Sequence, residues 1–175
     1  MNSLLLVVDV QNDFIDGSLG SKEAISTLPN IIKKVKNFNG DVVFTRDTHD
    51  ENYMSSQEGK NLPVVHCVKN TNGWQLADEL EAFRKDNNCK VFDKPTFGSV
   101  ECAEYIKELF DNKKVDEVTL IGYCTDICVV SNALIIKAMM PELKLKVDSK
   151  CCAGVTPQKH NSALETMASC QIEIV

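Results

Sequence analysis

The residue of this sequence with the clearest capacity for chemistry is a cysteine. Cys128 closes the stretch GYCTDIC (residues 122–128), which follows a predicted strand. Thr125 suits the cap of a helix that begins here, so we expect Cys128 in the first helical turn. Unpaired N–H groups and the positive end of a helix favour thiolate over thiol, which would make Cys128 a nucleophile. The alternative is a core thiol that serves only as a small apolar side chain.

Two charged residues at the ends of other predicted strands could activate this thiol. Asp9 directly follows the apolar run LLLVV (residues 4–8), where burial disfavours its charge and favours a cationic partner. Lys94 follows a short strand predicted at residues 90–92 and is a candidate for that partner. A lysine near Cys128 would also lower the pKa of the thiol. Each residue, taken alone, is equally compatible with a solvated side chain at a strand end.

The polar segment 46–72 contains a candidate metal site. Asp47 and His49 lie two residues apart, so on an extended segment their side chains point the same way and can chelate one ion. His66, with Glu58 as a fourth ligand, completes a nitrogen and oxygen set suited to zinc, iron or manganese. Histidines in loops can also be merely solvated. The remaining histidine, His160, falls in a predicted helix and is interpreted as a structural or surface residue.

Alternating strands and helices must position these side chains. Strands are predicted at residues 4–8, 42–45, 90–92, 117–121, 143–147 and 171–175. Helices are predicted at residues 24–38, 74–85, 99–111, 126–139 and 157–168. This alternation predicts a three-layer α/β/α, doubly wound (Rossmann-like) fold with a sheet of about six parallel strands. Such sheets bind ligands beyond the carboxyl ends of their strands, which is where the candidate residues lie.

Length and composition limit the classes of function. The 175 residues, 43% of them hydrophobic, predict one domain over residues 1–175. A net charge of −6 disfavours binding to nucleic acid. The first strand is too short to span a bilayer and lacks the features of a signal peptide, so we expect a cytoplasmic protein with no membrane partner.

The eight cysteines include no Cys-x-x-Cys pair and are expected to be reduced. No glycine-rich phosphate loop follows the first strand, which disfavours nucleotide binding.

Several motifs, in order along nearly the whole chain, resemble those of the isochorismatase-like cysteine hydrolases, in particular their nicotinamidase/pyrazinamidase branch. The matching segments are DVQNDF (9–14), DTH (47–49), HCVKNTNG (66–73), Lys94, GYCTDICV (122–129) and the closing segment 148–164. A single motif of this kind is weak, but their shared order and spacing make the resemblance specific. In this family the histidine of the closing segment, here His160, is not catalytic.

The resemblance implies a mechanism of amide hydrolysis. Asp9 would act as acid and base, Lys94 would stabilise the thiolate, and Cys128 would attack the amide carbonyl and form a thioester. The backbone N–H groups of Cys124 and Cys128 would hold the oxyanion, and the peptide between Tyr123 and Cys124 would be cis. The expected reaction converts nicotinamide into nicotinate and ammonia.

The resemblance also implies a metal ion and a ring pocket. Asp47, His49 and His66 would hold one divalent ion that binds the pyridine nitrogen; zinc is expected, with iron or manganese as alternatives. Glu58 is assigned as the fourth ligand from loop spacing alone. The candidate walls of the pocket are Phe14, Phe97 and Tyr123. Several relatives self-associate, so a homo-oligomer is a further expectation.

Two departures from the family pattern concern the ring pocket. Residues 61–65 (NLPVV) lack the tryptophan that many nicotinamidases carry before the third ligand, and residues 95–99 lack a longer aromatic insert. One alternative is therefore a related cysteine hydrolase acting on another small amide, ureide or carbamoyl compound. Two others are a non-catalytic α/β binding module and a thiol hydrolase that pairs Cys128 with His160.

Overall fold

A six-stranded parallel sheet runs through the centre of the computed structural model, which describes residues 2–175. Its strands are β1 (Ser3–Val8), β2 (Asp41–Asp47), β3 (Val91–Lys94), β4 (Glu117–Tyr123), β5 (Lys144–Ala153) and β6 (Glu173–Ile174). They lie in the order β3-β2-β1-β4-β5-β6, and every neighbouring pair is parallel. The predicted doubly wound α/β fold is confirmed.

Seven α-helices accompany the strands in the described part of the chain. They are α1 (Asn12–Ile15), α2 (Lys22–Lys36), α3 (Gln57–Asn61), α4 (Asp78–Asp86), α5 (Val100–Asp111), α6 (Val130–Met139) and α7 (Pro157–Ser169). Side chains of Ser21, Ser99 and Thr156 accept backbone N–H groups at the starts of α2, α5 and α7. None of the helices between residues 2 and 175 has the length and apolar character needed to cross a bilayer.

Three predictions about the extent of helices and strands were wrong. The segment 46–72, predicted to be irregular, contains a 3₁₀ turn (Tyr53–Ser55) and α3, because the Ser56 side chain accepts the Gly59 N–H and starts a short helix. Strand β5 runs to Ala153 instead of ending at residue 147, since its pairing with β4 resumes after a register shift. Helix α4 begins at Asp78 rather than at residue 74.

The apolar run of β1 supplies both cores of the molecule. Leu4, Leu6 and Val8 pack into a core beneath one face of the sheet, which also contains residues of α5, α6 and α7. Leu5 and Val7 pack into a second core on the other face, with residues of α2 and α4. Successive strand residues point to opposite faces, so a central strand covered on both sides must be apolar throughout.

From β1 the sheet grows in one direction to β2 and β3, and the chain then returns to add β4, β5 and β6 on the other side of β1. The connections on either side of this switch point diverge, which creates a crevice at the carboxyl ends of β1 and β4. Val8 pairs with Gly122 at this edge, so Asp9 and the segment after β4 emerge side by side. Asp47 and Lys94, the last residues of β2 and β3, lie along the same edge and are paired in register. The fold thus brings distant parts of the chain to one crevice.

Gly122 generates a prediction about this edge. Its φ is +123°, and a Cβ placed there would lie 2.0 Å from the carbonyl oxygen of Val8. We expect Gly122→Ala to lower the free energy of unfolding by at least roughly 1–3 kcal/mol, measured by urea denaturation. Gly98→Ala is the control, because the close contact of an added Cβ there, at 2.4 Å, is with the movable tip of Ile135, and the Ser131 backbone lies at an ordinary 3.4 Å. Equal losses in the two variants would contradict the close approach of β4 to β1.

Candidate active site

Three side chains from different strand ends meet in the crevice. The Lys94 Nζ atom lies 2.6 Å from Oδ2 of Asp9 and 3.5 Å from Sγ of Cys128. It also donates to the carbonyl oxygen of Thr96 at 3.1 Å. The three residues are buried, with exposed fractions of 0% for Asp9, 2% for Lys94 and 4% for Cys128. Asp9, Lys94 and Cys128, selected separately from the sequence, therefore form one contiguous group.

The backbone and neighbours of Asp9 orient its carboxylate. Asp9 has a φ of +50°, in the left-handed region, as the chain turns out of β1. The Thr45 hydroxyl donates to Oδ1 at 2.7 Å. Oδ2 contacts the Lys94 ammonium but accepts no hydrogen bond of good angle from any described residue. One carboxylate oxygen thus accepts a hydrogen bond from Thr45, and the other is paired with the Lys94 ammonium.

Burial sets the protonation of the cysteine. It raises the pKa of the Cys128 thiol well above its ordinary value, the Asp9 carboxylate raises it further, and Lys94 opposes both. Lys94 lowers this pKa, as expected from the sequence, but the loss of water around the sulfur outweighs its charge. Burial also raises the pKa of Asp9, against the opposing effect of Lys94. Burial thus favours the thiol over the thiolate, and Lys94 is the group that opposes it.

A lysine with so little exposure keeps its charge because of its neighbours. Burial alone would lower the pKa of Lys94, but the charges of Asp9 and Asp47 raise it above its ordinary value. Asp47 contributes through Oδ1, which lies 3.6 Å from Nζ. The ammonium is therefore a fixed positive charge next to the sulfur.

Cys128 lies in a turn that the sequence did not predict. Residues Thr125–Val129, here called the cysteine turn, form one π-helical turn, and α6 begins only at Val130. The Val129 N–H donates to the carbonyl oxygen of Cys124 at 3.1 Å. The preceding peptide, between Tyr123 and Cys124, is cis, as the family resemblance implies. Such turns are rare in proteins, and those that occur are often found at functional sites.

Thr125 does not cap a helix, contrary to the prediction. Its Oγ1 lies 2.8 Å from Nδ1 of His160, a residue of α7. This partner comes from 35 positions further along the chain, so the local sequence could not indicate it. The structure places His160 against Thr125, whereas the sulfur of Cys128 contacts Lys94. The alternative of a Cys128–His160 pair therefore has no support in the geometry.

The four predicted metal ligands also converge. Oδ2 of Asp47 lies 3.0 Å from Nε2 of His49 and 3.3 Å from Nε2 of His66. Oε1 of Glu58 lies 3.7 Å and 3.8 Å from the same two nitrogens. The four ligand atoms all lie within 4.8 Å of one another, and these four residues, a candidate metal site, are here called the metal cluster. Two imidazole nitrogens and two carboxylate oxygens facing one point fit a zinc, iron or manganese ion.

Surrounding groups fix the two imidazoles. Nδ1 of His66 lies 2.8 Å from the carbonyl oxygen of Val64, which leaves Nε2 for the cluster. The Tyr53 ring packs against both rings, with centroids 4.6 Å from His49 and 4.9 Å from His66. This support explains how residues of an outlying segment hold a defined arrangement.

The charges of the cluster favour a bound cation. Burial disfavours the charge of Asp47, but hydrogen bonds with His49 and His66 outweigh it and lower the pKa of Asp47. Burial, followed by the charge of Asp47, raises the pKa of Glu58. Burial would lower the pKa of His66, yet its hydrogen bond with Asp47 raises it. The two carboxylates thus create a demand for positive charge that a divalent ion could meet.

A cavity of about 320 Å³ opens above the sulfur of Cys128. The three candidate wall residues, Phe14, Phe97 and Tyr123, all line it, and Asp47, Glu58 and His66 border it. The Tyr123 hydroxyl donates to the carbonyl oxygen of Ala24 at 2.7 Å, so the polar end of this side chain is satisfied within the protein. The sequence did not indicate the remaining apolar lining, which includes Leu19, Leu62, Ile127, Ala153 and Val155.

Sequence reasoning missed two residues that support the metal cluster. Gln11 is fully buried, and its amide donates to the carbonyl oxygens of Asp47 at 2.8 Å and Trp74 at 3.0 Å. Its Oε1 accepts the N–H of Asp47 at 2.7 Å. Asp13 accepts the N–H of Cys67, next to His66, at 2.7 Å. The signal for both residues was their place in the motif DVQNDF.

A doubly wound α/β sheet that carries a buried cysteine, aspartate and lysine beside a histidine–carboxylate cluster defines the class of isochorismatase-like proteins. Comparison with known families agrees with this class, because the Isochorismatase domain matches residues 3–175. The chain belongs to that family.

Individual relatives are distant but span the whole chain. A nicotinamidase of Schizosaccharomyces pombe is 26% identical, and the alignment covers 98% of this chain and 91% of the relative. The crystal structure of a nicotinamidase/pyrazinamidase from Bacillus subtilis matches with a TM-score of 0.83 at 23% identity, covering 100% of both chains. A pyrazinamidase of Pyrococcus horikoshii in complex with zinc matches with a TM-score of 0.76 at 29% identity, covering 100% of this chain and 99% of that one.

The contacts of Gln11 predict a role in holding the metal cluster. Gln11→Ala should weaken zinc binding roughly 10–100-fold, because residues that orient metal ligands commonly contribute that much. The affinity can be measured by competition with a chelator of known strength. Gln158→Ala on the exposed side of α7 is the matched control and should bind zinc like the unchanged protein. Equal affinities in both variants would show that Asp47 needs no such support.

Proposed function

We propose that this protein is a metal-assisted cysteine amidohydrolase that converts nicotinamide into nicotinate and ammonia. The observation that carries the proposal is the contact of Lys94 with both Asp9 and Cys128 beneath a cavity bordered by the metal cluster. Membership of the Isochorismatase family and the nicotinamidase relatives support a hydrolase of amide C–N bonds. The choice of nicotinamide follows from the same relatives.

In the first half of the reaction, Oδ2 of Asp9 takes the thiol proton of Cys128. The thiolate forms beside the Lys94 ammonium, which stabilises its charge, and attacks the amide carbonyl carbon. The tetrahedral oxyanion accepts hydrogen bonds from the backbone N–H groups of Cys124 and Cys128. The C–N bond then breaks, and Asp9 gives its proton to the departing nitrogen, so ammonia leaves and a thioester remains.

The second half of the reaction releases the acid. A water molecule loses a proton to Asp9 and attacks the thioester carbonyl carbon. The C–S bond breaks, the sulfur of Cys128 regains the proton, and the carboxylic acid product departs. Asp9 thus exchanges protons with both nucleophiles, for which its raised pKa is suited.

Asp47, His49, Glu58 and His66 would hold the metal ion. A neighbouring family structure contains zinc, and the donor set fits zinc, with iron or manganese as alternatives. When bound, the ion supplies a Lewis-acidic centre for the ring nitrogen of the substrate. Phe14, Phe97 and Tyr123 then enclose the ring, and the amide lies over Cys128.

A second candidate is hydrolysis of another small amide by the same three residues. The observation that favours it is the wall of the cavity, to which the segment 61–65 contributes the aliphatic Leu62 and no aromatic side chain. A non-catalytic binding module is disfavoured, because burying the Lys94 and Asp9 charges has a large cost that a simple core would avoid. The single domain, cytoplasmic location and self-association expected from the sequence stay predictions.

The substrate and the nucleophile can be tested together. Zinc-loaded protein should release ammonia from nicotinamide, and Cys128→Ala should lower the rate to background because no thioester can form. Cys170→Ala makes the same change at an exposed thiol and should keep full activity. Release of ammonia from other small amides but not from nicotinamide would shift the proposal to the second candidate. Substantial turnover by Cys128→Ala would contradict the mechanism itself.

A further inference from the structure

The start of α7 is bound to the cysteine turn by two side-chain hydrogen bonds. The first joins Oγ1 of Thr125 and Nδ1 of His160 at 2.8 Å. In the second, the N–H of Val155 donates to Oδ1 of Asp126 at 2.9 Å. Thr125 is fully buried, so its hydroxyl cannot exchange this partner for water. The two contacts bind adjacent residues of the turn to one segment of chain.

The segment that carries His160 is itself well ordered by its local contacts. Thr156 caps α7 by accepting the N–H of Lys159 at 3.2 Å, and the His160 N–H donates to the Thr156 carbonyl oxygen at 2.9 Å. Gly154 permits the close packing, because an added Cβ would lie 2.8 Å from Oδ1 of Asp126 and 2.9 Å from the His160 nitrogen. The imidazole is thus presented to Thr125 from a fixed helical turn.

The two ends of the cysteine turn are held by different elements. At the far end, Asn132 of α6 donates to the carbonyl oxygen of Cys128 at 2.8 Å and accepts the Ser99 N–H at 2.9 Å. At the near end, Cys124 provides no side-chain cap. Among the described residues, the side chain of Thr125 has no hydrogen-bond partner other than His160.

We propose that His160 is a positioning residue, which acts through Thr125 to hold the near end of the cysteine turn. It thereby fixes the directions of the Cys124 and Cys128 N–H groups and of the sulfur. This inference rests on the proposed function, because it assigns those groups a task in amide hydrolysis. The position of the turn matters because a displacement of about 1 Å in a reacting group can lower a rate by roughly 100-fold. His160 itself contacts Thr125 and is not among the residues that line the cavity.

The test compares variants that remove the hydrogen bond with variants that keep it. Thr125→Val has nearly the shape of threonine but no hydroxyl, and His160→Leu has no ring nitrogen. Each should lower kcat for the amide by about tenfold or more, with KM changed by about twofold or less, because the turn carries the reacting sulfur but only one residue, Ile127, of the apolar lining named above. Thr125→Ser and His160→Asn retain polar atoms at these positions and should recover most of kcat.

A double-variant cycle isolates the pair from general damage to the fold. If His160 acts through Thr125, the protein with both Thr125→Val and His160→Leu should be no slower than the slower single variant. Rate losses that multiply would overturn the inference, as would single variants with the kcat of the unchanged protein. Equal loss of kcat in Thr125→Ser and Thr125→Val would also overturn it, because the hydroxyl would then be irrelevant.

A readout independent of substrate separates this inference from the proposed function. The rate at which iodoacetamide alkylates Cys128, followed by peptide mass spectrometry, should change several-fold in Thr125→Val, because the sulfur shifts relative to Asp9 and Lys94. Alkylation of the exposed Cys170 should stay constant and is the internal reference. If no amide is hydrolysed but this difference appears, the positioning role stands and the proposed reaction fails. If amides are hydrolysed but alkylation and kcat are unchanged, the positioning role fails alone.

Discussion

The site depends on one buried ammonium group. Lys94 has almost no contact with water, so its charge must be balanced by the protein, and the balancing groups are the carboxylates of Asp9 and Asp47. This requirement draws the ends of β1, β2 and β3 together, and the sulfur of Cys128 completes the contacts from beyond β4. A loss of the ammonium would leave two buried carboxylates close together, which explains why the pKa of Lys94 is raised although burial opposes its charge.

Asp47 connects this group to the metal cluster. Its Oδ1 faces Lys94, whereas its Oδ2 faces His49 and His66, so one carboxylate belongs to both sites. Gln11 holds the backbone of Asp47 through two hydrogen bonds. Since Gln11 lies only two residues after Asp9, these bonds fix the Asp47 carboxylate relative to Asp9. A cation bound by these residues and the ammonium of Lys94 would therefore share the charge of Asp47.

The sequence predicted the position of β1 and of Asp9 correctly, because the apolar run LLLVV is a local signal for a buried strand. The carboxyl ends of β2, β3, β4 and β5 extend beyond the predicted strands, since pairing with neighbouring strands determines where they stop. Asp47, His49 and His66 could be selected because their chemistry and spacing are visible in the sequence. The errors came from long-range contacts. Thr125 was expected to cap a helix, but His160 occupies its hydroxyl. The pKa of Cys128 was expected to fall, but burial, which no local pattern shows, raises it. The motif DVQNDF contained Gln11, but its hydrogen bonds with Asp47, 36 positions away, could not be seen in the local sequence.

The central claim is that Cys128, activated by Asp9 and Lys94, attacks the carbonyl carbon of the substrate. The most direct measurement is a crystal structure of the zinc-loaded protein with nicotinaldehyde, an analogue whose carbonyl can capture the nucleophile without a leaving group. We expect a covalent bond between Sγ of Cys128 and the aldehyde carbon, with Lys94 and Asp9 still in contact. An aldehyde bound in the cavity without a bond to sulfur, or bonded to another cysteine, would contradict it.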